Sequence, residues 1–270
     1  NFGTVLINQV QVSSAHSNGK VRSQQGKAVD AQTLAKRWMI PLDRARNTIL
    51  KTTQRGVRTV LHPNRSTRFP TNDRMLRYPR VPHPLFTDTL FAGTVSKRGN
   101  KCSQIFGTSF GWARAYPMQA KSQAPEALRL LFRHVGVPPR IIADHSKEQH
   151  SKEFLKVCRE ADCHKQRLEP YSQWGNAAEI NVRELKRASA RKMMSTNSPK
   201  KLWDHSLELE AIVRSHTAHD HFGLDGEVPE TLMTGRPGDI SHICEYSWYQ
   251  WVMYYESDWK YPNSQWQLGR

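Results

Sequence analysis

The chain has 270 residues, enough for one domain of ordinary size with additional segments. Forty Lys and Arg residues against 24 Asp and Glu residues give a formal net charge of +16, which favours a polyanionic partner, nucleic acid before a membrane surface. No apolar run approaches the roughly 20 residues that a membrane-spanning helix needs. A hydrophobic content of 37% is adequate for a packed core, which excludes a disordered basic tail.

The first 56 residues form an N-terminal segment with a small helical region. Residues 1–29 are polar, with one alternating run that predicts a strand. A short helix capped by Asp30 or Thr33 follows, and then a second helix over 42–53. Two helices across a tight turn could form a helix-turn-helix that reads a DNA groove. The favoured interpretation is a small helical subdomain that packs on its neighbour.

Residues 57–84 are predicted to be an extended basic linker. They contain six arginines and five prolines, and the prolines interrupt any regular element. The linker could lie along nucleic-acid phosphates or simply remain solvated.

Residues 85–218 carry the pattern of a mixed α/β domain. Three strands over 85–93, 102–110 and 112–119 precede a helix and a fourth strand over 140–143. A helix, a fifth strand and two more helices follow, over 152–161, 165–168, 177–194 and 199–216. This order predicts a five-stranded mixed sheet flanked by helices, and it resembles the ribonuclease-H-like fold.

Residues 219–270 form a C-terminal extension, turn-rich at first and strongly β-prone over 243–255. His216, His219 and His221 stand close together near Asp220 and could bind a transition metal. Because the local composition is that of a loop, solvent-exposed histidines are the favoured interpretation.

The four cysteines are expected to be reduced and mostly buried. Cys102, Cys158, Cys163 and Cys244 include no C-x-x-C pair, and the N-terminus does not look like a signal peptide. Cys158, Cys163 and His164 lie close together but have no fourth partner at zinc-site spacing. The chain begins at Asn1 and ends on a polar stretch, which suggests a segment of a longer protein.

Three acids stand in positions that point to metal chemistry. Asp88 lies inside a predicted strand and shares a face with Phe86 and Leu90, Asp144 directly ends the apolar run 141–143, and Glu179 opens a helix. Each alone has an ordinary explanation: a salt-bridged strand residue, a cap, or a favourable first-turn acid. Together they predict carboxylates that converge on divalent metal.

This set suits phosphoryl transfer on nucleic acid. Two Mg²⁺ or Mn²⁺ ions clamp the attacking and leaving oxygens of an in-line displacement, and hard cations take oxygen ligands. Asp88 is expected to bridge both ions, with Asp144 completing one metal site and Glu179 the other. Water or a DNA 3′-hydroxyl is the attacking group, so no nucleophilic side chain is required.

Basic residues on the helix of Glu179 are predicted to contact nucleic acid. Arg183 and Lys186 lie four and seven residues after Glu179 and share its face. The charge is extended along the same helix by Arg187, Arg191 and Lys192. These contacts would position the backbone rather than read bases, and a merely solvated basic face is the alternative. Trp174 is predicted either to stack on a base or sugar or to pin its loop.

Four stretches of the chain resemble the integrase region of copia-type LTR retrotransposon polyproteins: L-F-T-D-T-L-F-A at 85–92, I-I-A-D-H-S-K-E-Q at 141–149, E-P-Y-S-Q-W-G-N-A-A-E at 169–179 and G-E-V-P-E-T-L-M-T-G-R-P-G-D-I-S-H at 226–242. The resemblance spans roughly residues 30–256 and implies a ribonuclease-H-like catalytic core. The family's metal-binding acids fall on Asp88, Asp144 and Glu179, with Glu148 as a supporting acid.

The resemblance also implies an activity. The protein would bind the element's DNA ends, expose a 3′-hydroxyl and join it to target DNA as a homo-oligomer, acting in the nucleus. His145 stands where the family usually has Asn or Gly, which leaves open a decayed copy that only binds nucleic acid. A purely hydrolytic ribonuclease-H-like nuclease is a second alternative, and a DNA-binding protein that acts through residues 30–56 is a third.

Overall fold

The computed structural model describes residues 28–54, 78–143, 151–167, 177–220, 223–255, 260, 262 and 266–270. The predicted N-terminal strand and most of the basic linker lie outside these residues, as do Asp144, Glu148 and Trp174. None of the described helices combines the length and apolar character that crossing a bilayer requires.

A mixed five-stranded sheet forms the centre of the fold. Its strands are β1 (Leu85–Phe91), β2 (Cys102–Gly107), β3 (Ala113–Met118), β4 (Arg140–Ala143) and β5 (His164–Arg167). The spatial order is β3-β2-β1-β4-β5; the first three strands form an antiparallel meander, whereas β4 pairs parallel with β1 and β5. The predicted ribonuclease-H-like α/β fold is therefore confirmed.

Eight α-helices are described: α1 (Ala31–Trp38), α2 (Leu42–Lys51), α3 (Ala124–His134), α4 (Lys152–Glu160), α5 (Ala177–Ser195), α6 (Trp203–His216), α7 (Pro229–Thr234) and α8 (Ser241–Cys244). Two further strands, β6 (Val252–Tyr255) and β7 (Trp266–Gly269), pair antiparallel in a small separate sheet.

Both faces of the central sheet are covered by helices. On one face, Leu85 and Phe106 pack with Leu128 of α3 and Phe154 of α4. On the other face, apolar residues of the sheet pack with α5 and α6, namely Leu90, Ile105, Val182, Leu185 and Leu207. Alternate strand residues point to opposite faces, so β1 contributes Leu85 to the first layer and Leu90 to the second.

The N-terminal helices pack on the end of α6 and on α8. Leu34 and Trp38 of α1 are buried together with Val213 and Ile243. The Trp38 indole donates a hydrogen bond to the Ile243 carbonyl oxygen at 3.1 Å. Asp30 caps α1, as predicted, by accepting a hydrogen bond from the backbone N–H of Thr33. This packing favours the helical subdomain over a free helix-turn-helix.

The expected β-prone C-terminal extension is confirmed by the small sheet of β6 and β7. The stretch 243–255 differs at its start, where Ile243 and Cys244 lie in α8 because they pack against the N-terminal helices. The expectation of solvent-exposed histidines is wrong for His216. His216 is only 5% exposed, since it lies in the last turn of α6 and its Nδ1 is 2.9 Å from the Ile212 carbonyl oxygen. Burial lowers the pKa of His216.

Residues after 218 also contact the core. The Glu230 Oε2 atom of α7 accepts hydrogen bonds at 2.8 Å from the Trp112 indole and from the Arg114 guanidinium. Met233 of the same helix is fully buried in the layer that contains Leu85. The boundary at 218 therefore does not separate independent packing units, although the domain division as a whole stays a prediction.

A buried carboxylate fastens α6 to the loop after β1. Asp204 is 0% exposed, and its Oδ2 accepts hydrogen bonds from Arg98 Nε at 2.7 Å and Asn100 Nδ2 at 2.8 Å. Burial raises the pKa of Asp204, but hydrogen bonds from Arg98, Asn100 and Ser96 outweigh it and hold the pKa below its usual value. The folded state therefore favours the ionised form.

We predict that Asp204→Asn lowers the free energy of unfolding by about 2 kcal/mol at neutral pH, because Arg98 and the buried Asn100 lose the charged acceptor of their hydrogen bonds. Since the folded pKa is depressed, this stabilisation is present above the unfolded pKa of about 3.9 and is lost as pH falls through the folded pKa. Urea unfolding at neutral and acid pH should show the difference between wild type and variant shrinking with acidification. Glu208→Gln, at the more exposed carboxylate that also pairs with Arg98, should cost less than about 1 kcal/mol. Equal losses would contradict this account.

Candidate active site

Asp88 lies in the middle of β1, the central strand of the five-stranded sheet. It is half-buried and pairs across the sheet with Ile105 of β2. Its Oδ1 atom accepts a hydrogen bond from the backbone N–H of Thr89 at 2.7 Å. Residues two apart on a strand point to the same face, and Asp88 lies two residues before Leu90, which packs in the layer of α5. Asp88 therefore belongs to the sheet face that α5 covers.

Polar side chains beside Asp88 form a hydrogen-bonded network within the sheet. Gln104 donates to Thr87 Oγ1 at 2.6 Å and accepts from Thr89 Oγ1 at 2.9 Å, while Thr87 Oγ1 donates to the Ile105 carbonyl oxygen at 2.9 Å. Thr87 and Gln104 are fully buried. A satisfied buried network of this kind fixes how β1 sits on β2, and hence where Asp88 lies.

The fourth strand leads toward the same part of the sheet. Its last residue, Ala143, pairs with Thr87, the residue before Asp88. The two strands are parallel, so both run in the same direction at this point. The next residue in the sequence after Ala143 is Asp144, which lies outside the described residues together with Glu148.

The third predicted acid, Glu179, is exposed in the first turn of α5. This helix packs against both β1 and β2. Two residues after Glu179, Asn181 is 2% exposed and its Nδ2 donates a hydrogen bond to the Thr108 carbonyl oxygen at 3.0 Å. That bond fastens the first turn of α5 to the end of β2.

A glycine permits this close approach. A Cβ atom at Gly107 would lie 2.4 Å from Asn181 Nδ2 and 3.1 Å from the Trp112 carbonyl oxygen. Gly107 pairs with Phe86, two residues before Asp88, so the contact anchors α5 near the candidate site. The sequence patterns did not identify Gly107 or Asn181 as part of the site. Asn181 could have been noticed because it lies four residues before Leu185, on the helical stripe that is buried.

Most of the predicted basic contacts lie on the exposed surface of α5. Arg183, Lys186, Arg187 and Arg191 are all exposed. Glu184 lies between them, with its Oε1 atom 3.6 Å from Arg183 Nε and 3.2 Å from Arg187 Nη1. Exposed pairs of this kind are weak, so both arginines remain available to another anion.

The prediction that Lys192 contacts nucleic acid is wrong. Lys192 is 2% exposed, and its ammonium group forms a salt bridge with the buried carboxylate of Glu210 on α6. Lys192 follows Leu185 by seven residues and Ser189 by three, so it lies on the stripe that faces α6. On the same stripe, the hydroxyl of Ser189 donates to that of Ser206 at 2.9 Å.

No three Asp, Glu, His or Cys side chains converge as a metal-binding group within the described part of the chain. This finding does not cover the predicted set of acids, because Asp144 lies outside that part.

Comparison with known proteins identifies no family for this chain. No protein-family model matches the chain, and no curated protein matches it. Among solved structures, a chain of the simian T-cell lymphotropic virus intasome in complex with PP2A regulatory subunit B56 gamma is 18% identical, with a TM-score of 0.47. The match covers 71% of this chain and 66% of that chain, just under two thirds of its length.

Two viral integrase catalytic cores also match. The HTLV-2 core, solved with magnesium in a trimeric form, is 13% identical with a TM-score of 0.44 over 56% of this chain and 95% of its own. The BIV core is 13% identical with a TM-score of 0.41 over 56% and 93%, respectively. The fold assignment rests on this chain's own strand order and pairing.

The contact between Gly107 and Asn181 makes a testable prediction about stability. Gly107→Ala should lower the free energy of unfolding by about 2 kcal/mol, because the added Cβ would meet the Asn181 amide. Asn181→Ala should cost about 1 kcal/mol through its lost hydrogen bond. The double variant should lose less unfolding free energy than the sum of the losses of the two single variants, because Asn181→Ala removes the atom that the Cβ meets.

Urea unfolding of the two single variants and the double variant measures this coupling. Gly93→Ala is the matched control, since a Cβ there would meet nothing within 4 Å, and its stability should change by less than about 0.5 kcal/mol. If the losses of unfolding free energy were strictly additive, the Cβ introduced at position 107 would not meet the Asn181 amide.

Proposed function

We propose that this chain is the catalytic core of a copia-type retrotransposon integrase, which joins the 3′ ends of element DNA to target DNA with divalent metal. One observation carries the proposal. Asp88 lies on the central strand, the parallel neighbour β4 ends one residue before Asp144, and the anchored first turn of α5 carries Glu179. The four sequence stretches quoted above support the family assignment.

The donor chemistry of these residues fits Mg²⁺ or Mn²⁺. Both ions prefer oxygen ligands and keep several waters, so two or three carboxylates suffice. Asp88, Asp144 and Glu179 would hold two ions, with Glu148 as the supporting acid. When bound, the ions would stabilise the charge on the phosphoryl group and favour deprotonation of the attacking hydroxyl group. The structure describes two of these acids, Asp88 on the central strand and Glu179 on the helix that covers its face.

The chain's own contribution is positioning. The hydrogen bonds among Thr87, Thr89 and Gln104 hold β1, and the Asn181 amide holds the turn that carries Glu179. The attacking group is water or a DNA 3′-hydroxyl. Its oxygen forms a bond to phosphorus while the bond from phosphorus to the leaving 3′ oxygen breaks, and that oxygen takes up a proton to become a 3′-hydroxyl.

The nucleic-acid partner is supported by charge. The formal net charge is +16, and exposed basic residues follow Glu179 along α5, namely Arg183, Lys186, Arg187 and Arg191. These residues would hold DNA phosphates beside the acids. Stacking by Trp174, assembly into a homo-oligomer and action in the nucleus belong to the same proposal.

A strand-transfer assay tests the activity. The full 270-residue chain, incubated with Mn²⁺ or Mg²⁺ and short duplexes bearing recessed 3′ ends, should yield joined DNA that disappears with EDTA. Asp88→Asn, Asp144→Asn and Glu179→Gln should each reduce the joined product about 100-fold or more, because each removes a charged ligand. Glu153→Gln is the matched control, since Glu153 is an exposed first-turn acid on α4, across the sheet from α5.

The outcomes separate the alternatives. DNA that is cut but never joined would identify a hydrolytic nuclease. DNA that is bound without any product would identify a chain that only binds nucleic acid. Equal loss of product in Glu153→Gln and Glu179→Gln would contradict the assignment of the acids.

The salt dependence of DNA binding tests the basic surface. Lys186→Gln should weaken binding to any duplex sequence and reduce the slope of log K against log[salt] by about 1, because one phosphate contact is lost. Lys156→Gln, at an exposed lysine of α4 on the other face of the sheet, should leave the slope unchanged. Identical slopes for both variants and wild type would show that Lys186 does not contact DNA.

A further inference from the structure

Two thiols meet at the turn between α4 and β5. Cys158 lies in the last turn of α4 and Cys163 directly precedes β5. They are 2% and 6% exposed, and each thiol influences the pKa of the other. The Cys163 thiol also lies 3.9 Å from the carbonyl oxygen of His164. Neither cysteine belongs to the candidate active site, and both pack in the layer formed by α3 and α4.

The backbone holds the two thiols in this arrangement. The N–H of Cys163 donates to the Cys158 carbonyl oxygen at 2.8 Å, and the intervening Asp162 adopts a left-handed conformation with φ of 53°. The Arg80 Nη1 atom donates to the Asp162 carbonyl oxygen at 2.8 Å. The N–H of His164 donates to the Pro139 carbonyl oxygen at 3.1 Å, which ties the turn to the start of β4.

A small reagent can reach the pair although both residues are buried. Cys158 and Cys163 line an open pocket of about 640 Å³, whose wall also includes Arg80 and Arg159. The pocket is far larger than one water molecule, so a molecule the size of hydrogen peroxide fits beside the sulfur atoms.

The two thiols are chemically unequal. Interaction with the neighbouring Cys163 thiol lowers the pKa of Cys158; burial opposes this effect, and the positive charge of Lys165 adds to it. The same interaction, together with burial, raises the pKa of Cys163. Cys158 therefore has the greater thiolate character, which is the nucleophilic form of the group.

We propose that Cys158 and Cys163 form an oxidisable dithiol, which a peroxide converts into an intramolecular disulfide. The Cys158 thiolate attacks one peroxide oxygen and the O–O bond breaks, giving a sulfenic acid and a hydroxide that takes up a proton to become water. Cys163 sulfur then attacks the Cys158 sulfur, the S–O bond breaks, and the departing hydroxide takes the Cys163 proton as a second water. Two thiols are oxidised and one peroxide is reduced.

The other two cysteines provide the contrast. The Cys102 thiol donates to the Met118 carbonyl oxygen, and the Cys244 thiol contacts Gln54 and Ser241 oxygens. Burial raises the pKa of both thiols. The dithiol is also not a three-ligand metal site, since no such group occurs within the described residues. The inference is independent of DNA chemistry and can fail without affecting the proposed function.

Peptide mapping by mass spectrometry tests the dithiol directly. The full chain is treated with hydrogen peroxide, free thiols are alkylated, and the protein is digested with trypsin without reduction. Cleavage after Arg159 separates Cys158 from Cys163, so only a disulfide keeps peptides 157–159 and 160–165 in one species. This linked species should appear about tenfold faster than any oxidation of Cys102 or Cys244, and dithiothreitol should abolish it.

Two variants test the order of the steps. Cys163→Ser should stop at a Cys158 sulfenic acid that dimedone captures, whereas Cys158→Ser should leave Cys163 largely unoxidised. Circular dichroism checks that each variant folds. If either variant does not fold, the peptide map of the oxidised wild-type protein alone tests whether the disulfide forms. Disulfides between molecules, sulfinic acid at Cys158 without linkage, or equal oxidation of Cys102 and Cys244 would overturn the proposal.

Discussion

The approach of α5 to the sheet is the contact on which the candidate site depends. It requires a residue without a side chain at Gly107, because the Asn181 amide occupies the space that a Cβ would fill. The hydrogen bond from Asn181 to Thr108 then fixes the first turn of the helix. This single orientation leaves Glu179 exposed on the helix that covers the face of Asp88, and it buries Lys192 against Glu210.

Local sequence patterns predicted the elements of the sheet well. The strand β4 was predicted to the residue, and Asp88 lies in the middle of β1 on the face that it shares with Leu90, as alternation indicated. Helical periodicity also placed Arg183 and Lys186 on the exposed side of α5. These features depend on residues close in sequence, so period and turn signals are sufficient to find them.

Features that depend on distant partners could not be predicted in this way. A lysine next to arginines looks like part of a basic surface, and Lys192 is buried because Glu210, eighteen residues later, neutralises it. His216 is buried because α6 extends beneath the segment that contains Gly238, where a Cβ would lie 2.7 Å from the imidazole. The first residues of the C-terminal β-prone stretch are helical and belong to α8, because their apolar contacts with α1 outweigh their local preference for a strand.

The central claim is that Asp88, Asp144 and Glu179 hold divalent metal together. The most direct measurement is the anomalous difference density of Mn²⁺ in crystals of the full chain. The account predicts manganese at about 2 Å from carboxylate oxygens of all three residues. Manganese bound elsewhere, or a Glu179 carboxylate that lies apart from the metal held by Asp88, would contradict it.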